Sequence, residues 1–234
     1  MVRGGEVEKR NKRALIVLAV WLWMFIGSIA TIALVACIKG VPLNLEGLVD
    51  MLNREPYLAC YGEVVGVGAL PLLISLARGD KLEMYGLRRQ GALKSLAFSL
   101  SPAAVILVTR VIRGLSLKSF GLSFPYNIWY AALSVLAYGP LEAFFVVWLI
   151  VNTDAILDTL NKTASPGLFI TVLVFGLSHV IFSPQGGFLN AVEVIIEFAV
   201  LGLIFKHTGN SLGPMVAWTL INGQVLHLLV GCLT

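Results

Sequence analysis

The chain has 234 residues, of which 58% are hydrophobic and only 13% charged, and its mean hydropathy of +0.87 lies outside the range of a water-soluble domain. The formal charge of +4 would raise the question of nucleic acid in a soluble protein, but the basic residues gather at the ends of apolar runs, the pattern of membrane topology, and no nucleic-acid partner is expected. Hydrocarbon offers the backbone no hydrogen-bond partner, and the apolar runs are continuous rather than alternating, so helices are expected rather than a barrel.

Residues 1–13 form a basic N-terminal segment (Arg3, Lys9, Arg10, Lys12, Arg13) ahead of a first span predicted over Ala14–Ile38, too long for a signal-peptide core and read as retained. Further spans are predicted over Tyr57–Leu76, Leu93–Ile112 and Ile128–Val151. Three shorter or more polar runs follow, Leu168–Phe182, Phe188–Phe205 and Leu212–Val230, which makes an all-α, polytopic bundle of about seven spans in one domain over residues 14–234. Turn chemistry at residues 40–42, 78–81, 124–127, 165–167, 183–187 and 208–210 separates these runs. Gly62 and Gly66 form a small-residue pair suited to close helix packing, and Lys81–Arg89 mixes apolar and charged residues as an interfacial amphipathic segment does. The basic residues of 1–13 and of 78–94 fall on one side, which is read as cytoplasmic together with the N-terminus; Arg110, Arg113 and Lys118 in the third connection oppose that reading.

Cys37, Cys60 and Cys232 are isolated and show neither a disulfide framework nor metal-ligand spacing, and the C-terminal Cys232-Leu233-Thr234 is one residue short of a prenylation box. Ionisable groups at bilayer depth are costly, so each needs a reason: Glu63, Glu142, His179, Glu193, Glu197 and His227 are these groups, with Asn222 as a polar companion. A carboxylate and an imidazole together can activate water, and an amide can donate to an oxyanion. The same groups can equally hydrogen-bond across helices and fix the register of the bundle. Lys206 and His207, at a helix end, are read as interfacial anchors.

Local sequence around these groups carries a resemblance. Phe175-Gly176-Leu177-Ser178-His179 fits a Phe-x-x-x-His motif, residues 198–222 run from a Gly-containing helix through a Thr-Gly-Asn turn and a Pro-containing helix start to Asn222, and Tyr85-Gly86-Leu87-Arg88-Arg89 precedes a span. In this order and spacing the segments resemble the CAAX-protease-related (ABI/CPBP) family, with the motif-bearing core over about residues 128–231. The resemblance implies a CAAX-protease-like helical fold and an intramembrane endopeptidase with Glu142, His179 and Asn222 as its catalytic residues. The partners it implies, besides the lipid bilayer, are membrane proteins or hydrophobic peptides, some of them prenylated.

The chain departs from the family's motifs at three positions. Ala143 stands in place of a second Glu, Val147 in place of an Arg, and Trp218 in place of a His. Without that guanidinium Glu142 is unsupported as a base, and without a second imidazole a two-His site for zinc is incomplete, so no cofactor is assigned and a divalent zinc ion is left as an open alternative that the ligand count does not support. Glu193 and Glu197, four apart on one helical face, are the substitute acids. The expectation is therefore a protease-like protein in which hydrolysis is impaired and the old substrate cavity serves as a scaffold for membrane helices or hydrophobic peptides, or in which a modified site performs it. The second reading is a small proton- or cation-coupled transporter or channel with Glu63, Glu142, Glu193 and Glu197 along its path.

Overall fold

A computed structural model describes residues 2–112, 122–182 and 187–222, and the described residues are helices joined by short turns. Helix α1 (Val2–Lys39) runs from the basic N-terminal segment through the first apolar run, and a short amphipathic helix α2 (Leu45–Arg54), capped by Asn44 on the Gly47 N–H, follows it. The second apolar stretch is α3 (Tyr57–Glu63), a π-helical segment Val64–Ala69, and α4 (Leu70–Ala77). Next come α5 (Ala92–Ile112), α6 (Tyr126–Leu136), a second π-helical segment Ala137–Leu141, α7 (Glu142–Leu157), α8 (Pro166–Phe182), α9 (Gly187–Thr208) and α10 (Leu212–Ile221).

Five helical stretches are long and apolar enough to cross a membrane: 6–39, 57–77, 92–110, 126–157 and 187–208. The chain is thus a helical membrane bundle, with five stretches of spanning length among the described residues, where the sequence leads to about seven apolar runs. Helices α8 and α10 are apolar but shorter. The rest of the seventh run, His227, Cys232, Arg113, Lys118 and the turn at 183–186 lie outside the described residues.

Helix α7 is the axis of the bundle. Residues 143–151 of α7 are all buried, so this helix is apolar on every side because it is surrounded by protein on every side. The outward faces of α1 and α5 keep large apolar side chains such as Leu18, Ile26, Val105 and Val108 exposed, as lipid-facing helices do.

The second π-helical segment contains a proline, and the first has one two residues after its end. Pro140 supplies no N–H and its ring crowds the carbonyl one turn back, and the helix relieves this by widening, so that the Glu142 N–H donates to the Ala137 carbonyl five residues earlier. The extra residue turns everything downstream by about 100° relative to an unbroken helix, which sets the direction of Glu142. Pro71 stands just after the first π-helical segment in the same way. Gly139 lets this widened turn approach α10: a Cβ there would lie 2.2 Å from Thr219 Oγ1. The Gly62/Gly66 pair packs closely as expected, Gly62 against Ile32 and Gly66 against Ser28 of α1.

The resemblance segments 85–89 and 208–214 meet in space. Gly86 has φ +78, a conformation suited to glycine, and a Cβ there would sit 2.6 Å from the Ser211 N, which donates to the Gly86 carbonyl. Asn210 Nδ2 donates to the Arg88 and Gln90 carbonyls at 2.5 and 3.0 Å, and its Oδ1 accepts from the Leu212 N–H. Within residues 81–89, Leu82–Tyr85 is a single 3₁₀ turn, with Tyr85 fully buried edge-on to Phe144 at 5.6 Å and Glu83 and Met84 exposed.

Candidate functional site

Glu142 begins α7 directly after the second π-helical segment and is 3% exposed. Its Oε2 accepts from Trp218 Nε1 at 2.6 Å and from Asn222 Nδ2 at 3.1 Å, two donors one helical turn apart on α10 and its C-terminal end. Its Oε1 lies 3.9 Å from His179 Nε2. The three catalytic candidates of the sequence, contributed by three separate runs, are therefore brought together around one carboxylate.

The chemistry of each neighbour is fixed by what else it binds. His179 Nδ1 is 3.0 Å from the Phe175 carbonyl, which can only accept, so Nδ1 carries the proton and Nε2 of the neutral ring is an acceptor. Glu142 Oε1 is also an acceptor when ionised. Two acceptors facing each other at 3.9 Å are too far apart for a direct hydrogen bond and suit a bridging water that donates to both. Asn222 Nδ2 donates a second time, to the Tyr138 carbonyl at 3.0 Å. Both of its N–H groups are thus spent, and the amide positions Glu142 rather than donating to an oxyanion as the sequence reading had it.

The site faces a cavity of about 560 Å³. Its walls include Glu63 from α3, Arg110 from α5, Tyr138 and Glu142 from the central helix, His179 from α8, and Asn190, Glu193 and Glu197 from α9. Arg110 is no connection residue: it lies on α5 and reaches into the bundle, where its Nη2 donates to Glu197 Oε1 at 2.9 Å and its Nη1 to the Ile221 carbonyl. So a guanidinium is present in the cavity after all, but it serves Glu197 and not Glu142. Glu193 lies at the exposed edge of the same wall.

Sequence reasoning counted Trp218 as a loss, the missing imidazole. In the structure its indole N–H makes the shortest hydrogen bond to Glu142, and its ring packs on Phe198 with centroids 4.3 Å apart. The signal was available: Trp218 and Asn222 are four apart, hence on one face, and both are N–H donors. Lys206 also departs from its expected role. It is no interfacial anchor but a buried partner of Asp154, Nζ to Oδ2 at 2.7 Å.

Among the described residues no group of three or more His, Cys, Asp or Glu is placed to share a metal ion. Glu142 and His179 alone, with one carboxylate oxygen committed to two N–H donors, do not fit a zinc site of three or four protein ligands. Comparison of the chain with protein-family models, with curated proteins and with solved structures finds no match.

Proposed function

We propose that this protein is an intramembrane endopeptidase resembling the ABI/CPBP family, with a modified site in which Glu142 and His179 hold and deprotonate the attacking water. The observation that carries this reading is the approach of Glu142 Oε1 to His179 Nε2, 3.9 Å apart on the wall of a cavity. A water held there points its lone pairs into the cavity. Glu142 takes one of its protons as the oxygen attacks the peptide carbonyl carbon, and returns that proton to the leaving amine when the C–N bond breaks. Trp218 and Asn222 hold the carboxylate in place through Oε2, the support that an arginine gives in the family's own motif. The oxyanion role falls to Asn190, whose amide lines the same cavity and has no hydrogen-bond partner among the described residues.

The substrate on this reading is a hydrophobic peptide or membrane-protein segment, prenylated or not, entering from the bilayer. On this reading the N-terminus lies in the cytoplasm. Supporting this, Lys9, Arg10, Arg13 and Arg78 line one cleft with Asp158, so the basic segments gather at one end of the bundle, while Arg110 is spent inside it on Glu197.

The test is incubation of the purified chain in liposomes with a library of prenylated and unprenylated peptides. Cleavage that falls by a factor of about 10²–10⁴ in Glu142→Gln and His179→Ala, and by about 10²–10³ in Asn190→Ala, is the expected result. Absence of cleavage by the native chain, with a co-purifying membrane protein, would replace the enzyme with a scaffold. The transporter reading has one observation in its favour, since Glu63, Glu142, Glu193 and Glu197 all line the same cavity. Against it, Glu197 is already paired with Arg110 rather than free along a path. Cation flux sensitive to Glu193→Gln but not to His179→Ala would overturn the hydrolase in its favour.

A further inference from the structure

Among the described residues the acids of the cavity outnumber its bases. Four carboxyl groups, Glu63, Glu142, Glu193 and Glu197, face it with one guanidinium, that of Arg110, and His179 Nδ1 is committed to its backbone contact. Glu142 is held by two neutral N–H donors and Glu197 Oε1 by Arg110, whose other amino group is committed to the Ile221 carbonyl. What remains is an excess of uncompensated acid. Glu197 is 6% exposed and lines the cavity, yet its Oε2 has no hydrogen-bond partner. Glu63 and Glu193 make no ion pair among the described residues. In a hydrocarbon surrounding an acid is neutralised by a proton or by a paired cation, and these acids offer their unused oxygens to a cation supplied from outside.

The rest of the lining shows what kind of cation. Met24, Ile32, Leu52 and Val67 add an apolar surface, and the cavity of about 560 Å³ has room for a side chain and its flanking backbone rather than a bare ion. The three-donor cluster that a metal ion requires does not occur among the described residues. An aliphatic stem along the apolar wall with a charged head at the acids matches both surfaces.

We infer that the cavity selects hydrophobic membrane peptides carrying a lysine or arginine side chain, recognised by Glu63, Glu193 and Glu197. This deepens the endopeptidase reading by naming its substrate class, and rests on that reading for the peptide. Recognition is a binding property, so it is measured apart from cleavage.

The experiment uses the full chain in nanodiscs and fluorescently labelled leucine-rich peptides of about 20 residues with a single central Lys, Leu or Glu, binding being read by anisotropy. The Lys peptide is expected to bind at least about ten-fold more tightly than the Leu peptide, with the Glu peptide weakest. That preference should fall below about three-fold in Glu193→Gln, whose exposed position spares the fold, and likewise in Glu63→Gln. Equal affinity for the Lys and Leu peptides, failure of all three to bind, or a preference untouched by both substitutions would overturn the inference. So would binding of dodecylamine at this cavity with no discrimination among the peptides, which would make the occupant a simple amine. Lysine preference without cleavage of any peptide keeps the inference and removes the hydrolase; cleavage without charge preference does the reverse.

Discussion

Two buried carboxylates on the same helix, Glu142 and Asp154, have opposite surroundings. Asp154 is fully buried, and every contact it makes is closed: Oδ1 accepts from Thr159 Oγ1 and the Gly167 N–H, Oδ2 from Ser165 Oγ, and Lys206 Nζ sits 2.7 Å from Oδ2. Lys206 in turn donates to the Leu160 carbonyl. Glu142, three turns earlier on α7, is almost as buried, but only one of its oxygens is satisfied by donors, and the other faces an imidazole acceptor across a gap beside a cavity. A saturated carboxylate ties the turn between α7 and α8 to the end of α9. One with an oxygen to spare is equipped for chemistry. Burial alone therefore does not separate a structural acid from a reactive one; the use made of each lone pair does.

The largest effect expected from this contrast is on stability at Asp154. Asp154→Ala leaves Lys206 charged and buried with one backbone carbonyl, and should cost about 3–5 kcal/mol, whereas Glu142→Gln keeps an acceptor for Trp218 and Asn222 and gives His179 Nε2 a donor, moving stability by less than about 1 kcal/mol. Thermal unfolding of both variants in the same detergent makes the comparison. A larger loss in Glu142→Gln than in Asp154→Ala would reverse the two assignments.

Next in size is the backbone device that aims Glu142. Gly139→Ala places a methyl group 2.2 Å from Thr219 Oγ1, a hydroxyl already committed to the Met215 carbonyl, so the widened turn and α10 must separate. The expected loss is about 1–3 kcal/mol in unfolding, accompanied by a disproportionate fall in turnover, because Trp218 and Asn222 move away with α10. The same change that loosens the site should leave the Asp154 cluster intact, read as unaltered hydrogen exchange of the Gly167 amide.

How much of this was legible in the sequence follows from what each feature depends on. Membrane helices were legible because length and apolarity are summed properties of one segment, and Glu142, His179 and Asn222 stood out because polar groups are rare in such segments. Span number is a finer matter: about seven runs are apolar, and among the described residues five helical stretches have spanning length while α8 and α10 are apolar but shorter, because hydropathy marks a run without fixing where its helix stops. The role of Trp218 was missed because it was compared with the residue it replaces and not with the donor it offers. Arg110 and Lys206 were misplaced for a common reason: long basic side chains at the ends of apolar runs read as interfacial, and only the fold shows that Glu197 and Asp154 wait for them.

A smaller effect is expected at Trp218. Trp218→Phe keeps the ring against Phe198 but removes the N–H at 2.6 Å from Glu142, leaving Asn222 as the sole donor to Oε2. Stability should drop by about 1–2 kcal/mol, and peptide cleavage should fall through the catalytic constant rather than through binding, because the loosened carboxylate holds water less well. A change confined to substrate binding would place Trp218 in the cavity wall only, and not among the groups that position Glu142.

The smallest effect tests whether surroundings, rather than the identity of the pair, make the Asp154–Lys206 bridge strong. Lys39 and Glu55 join the end of α1 to the segment after α2 with the same 2.7 Å geometry, but their side chains are 35% and 30% exposed against 7% and 0% for Lys206 and Asp154. The Lys39 ammonium and then the Tyr57 hydroxyl hold the Glu55 carboxyl below its ordinary value of 4.5. A carboxylate with a lowered folded value stabilises the protein at neutral pH and loses that contribution as pH falls from its ordinary value through the folded one. Because water screens this pair, Glu55→Gln should cost at most about 1 kcal/mol at pH 7, and the difference from the native chain should vanish in acid below that range. Unfolding measured against pH for both chains tests it: a loss at pH 7 as large as that of Asp154→Ala would mean that the chemical identity of the partners, not their desolvation, sets the strength of ion pairs in this bundle.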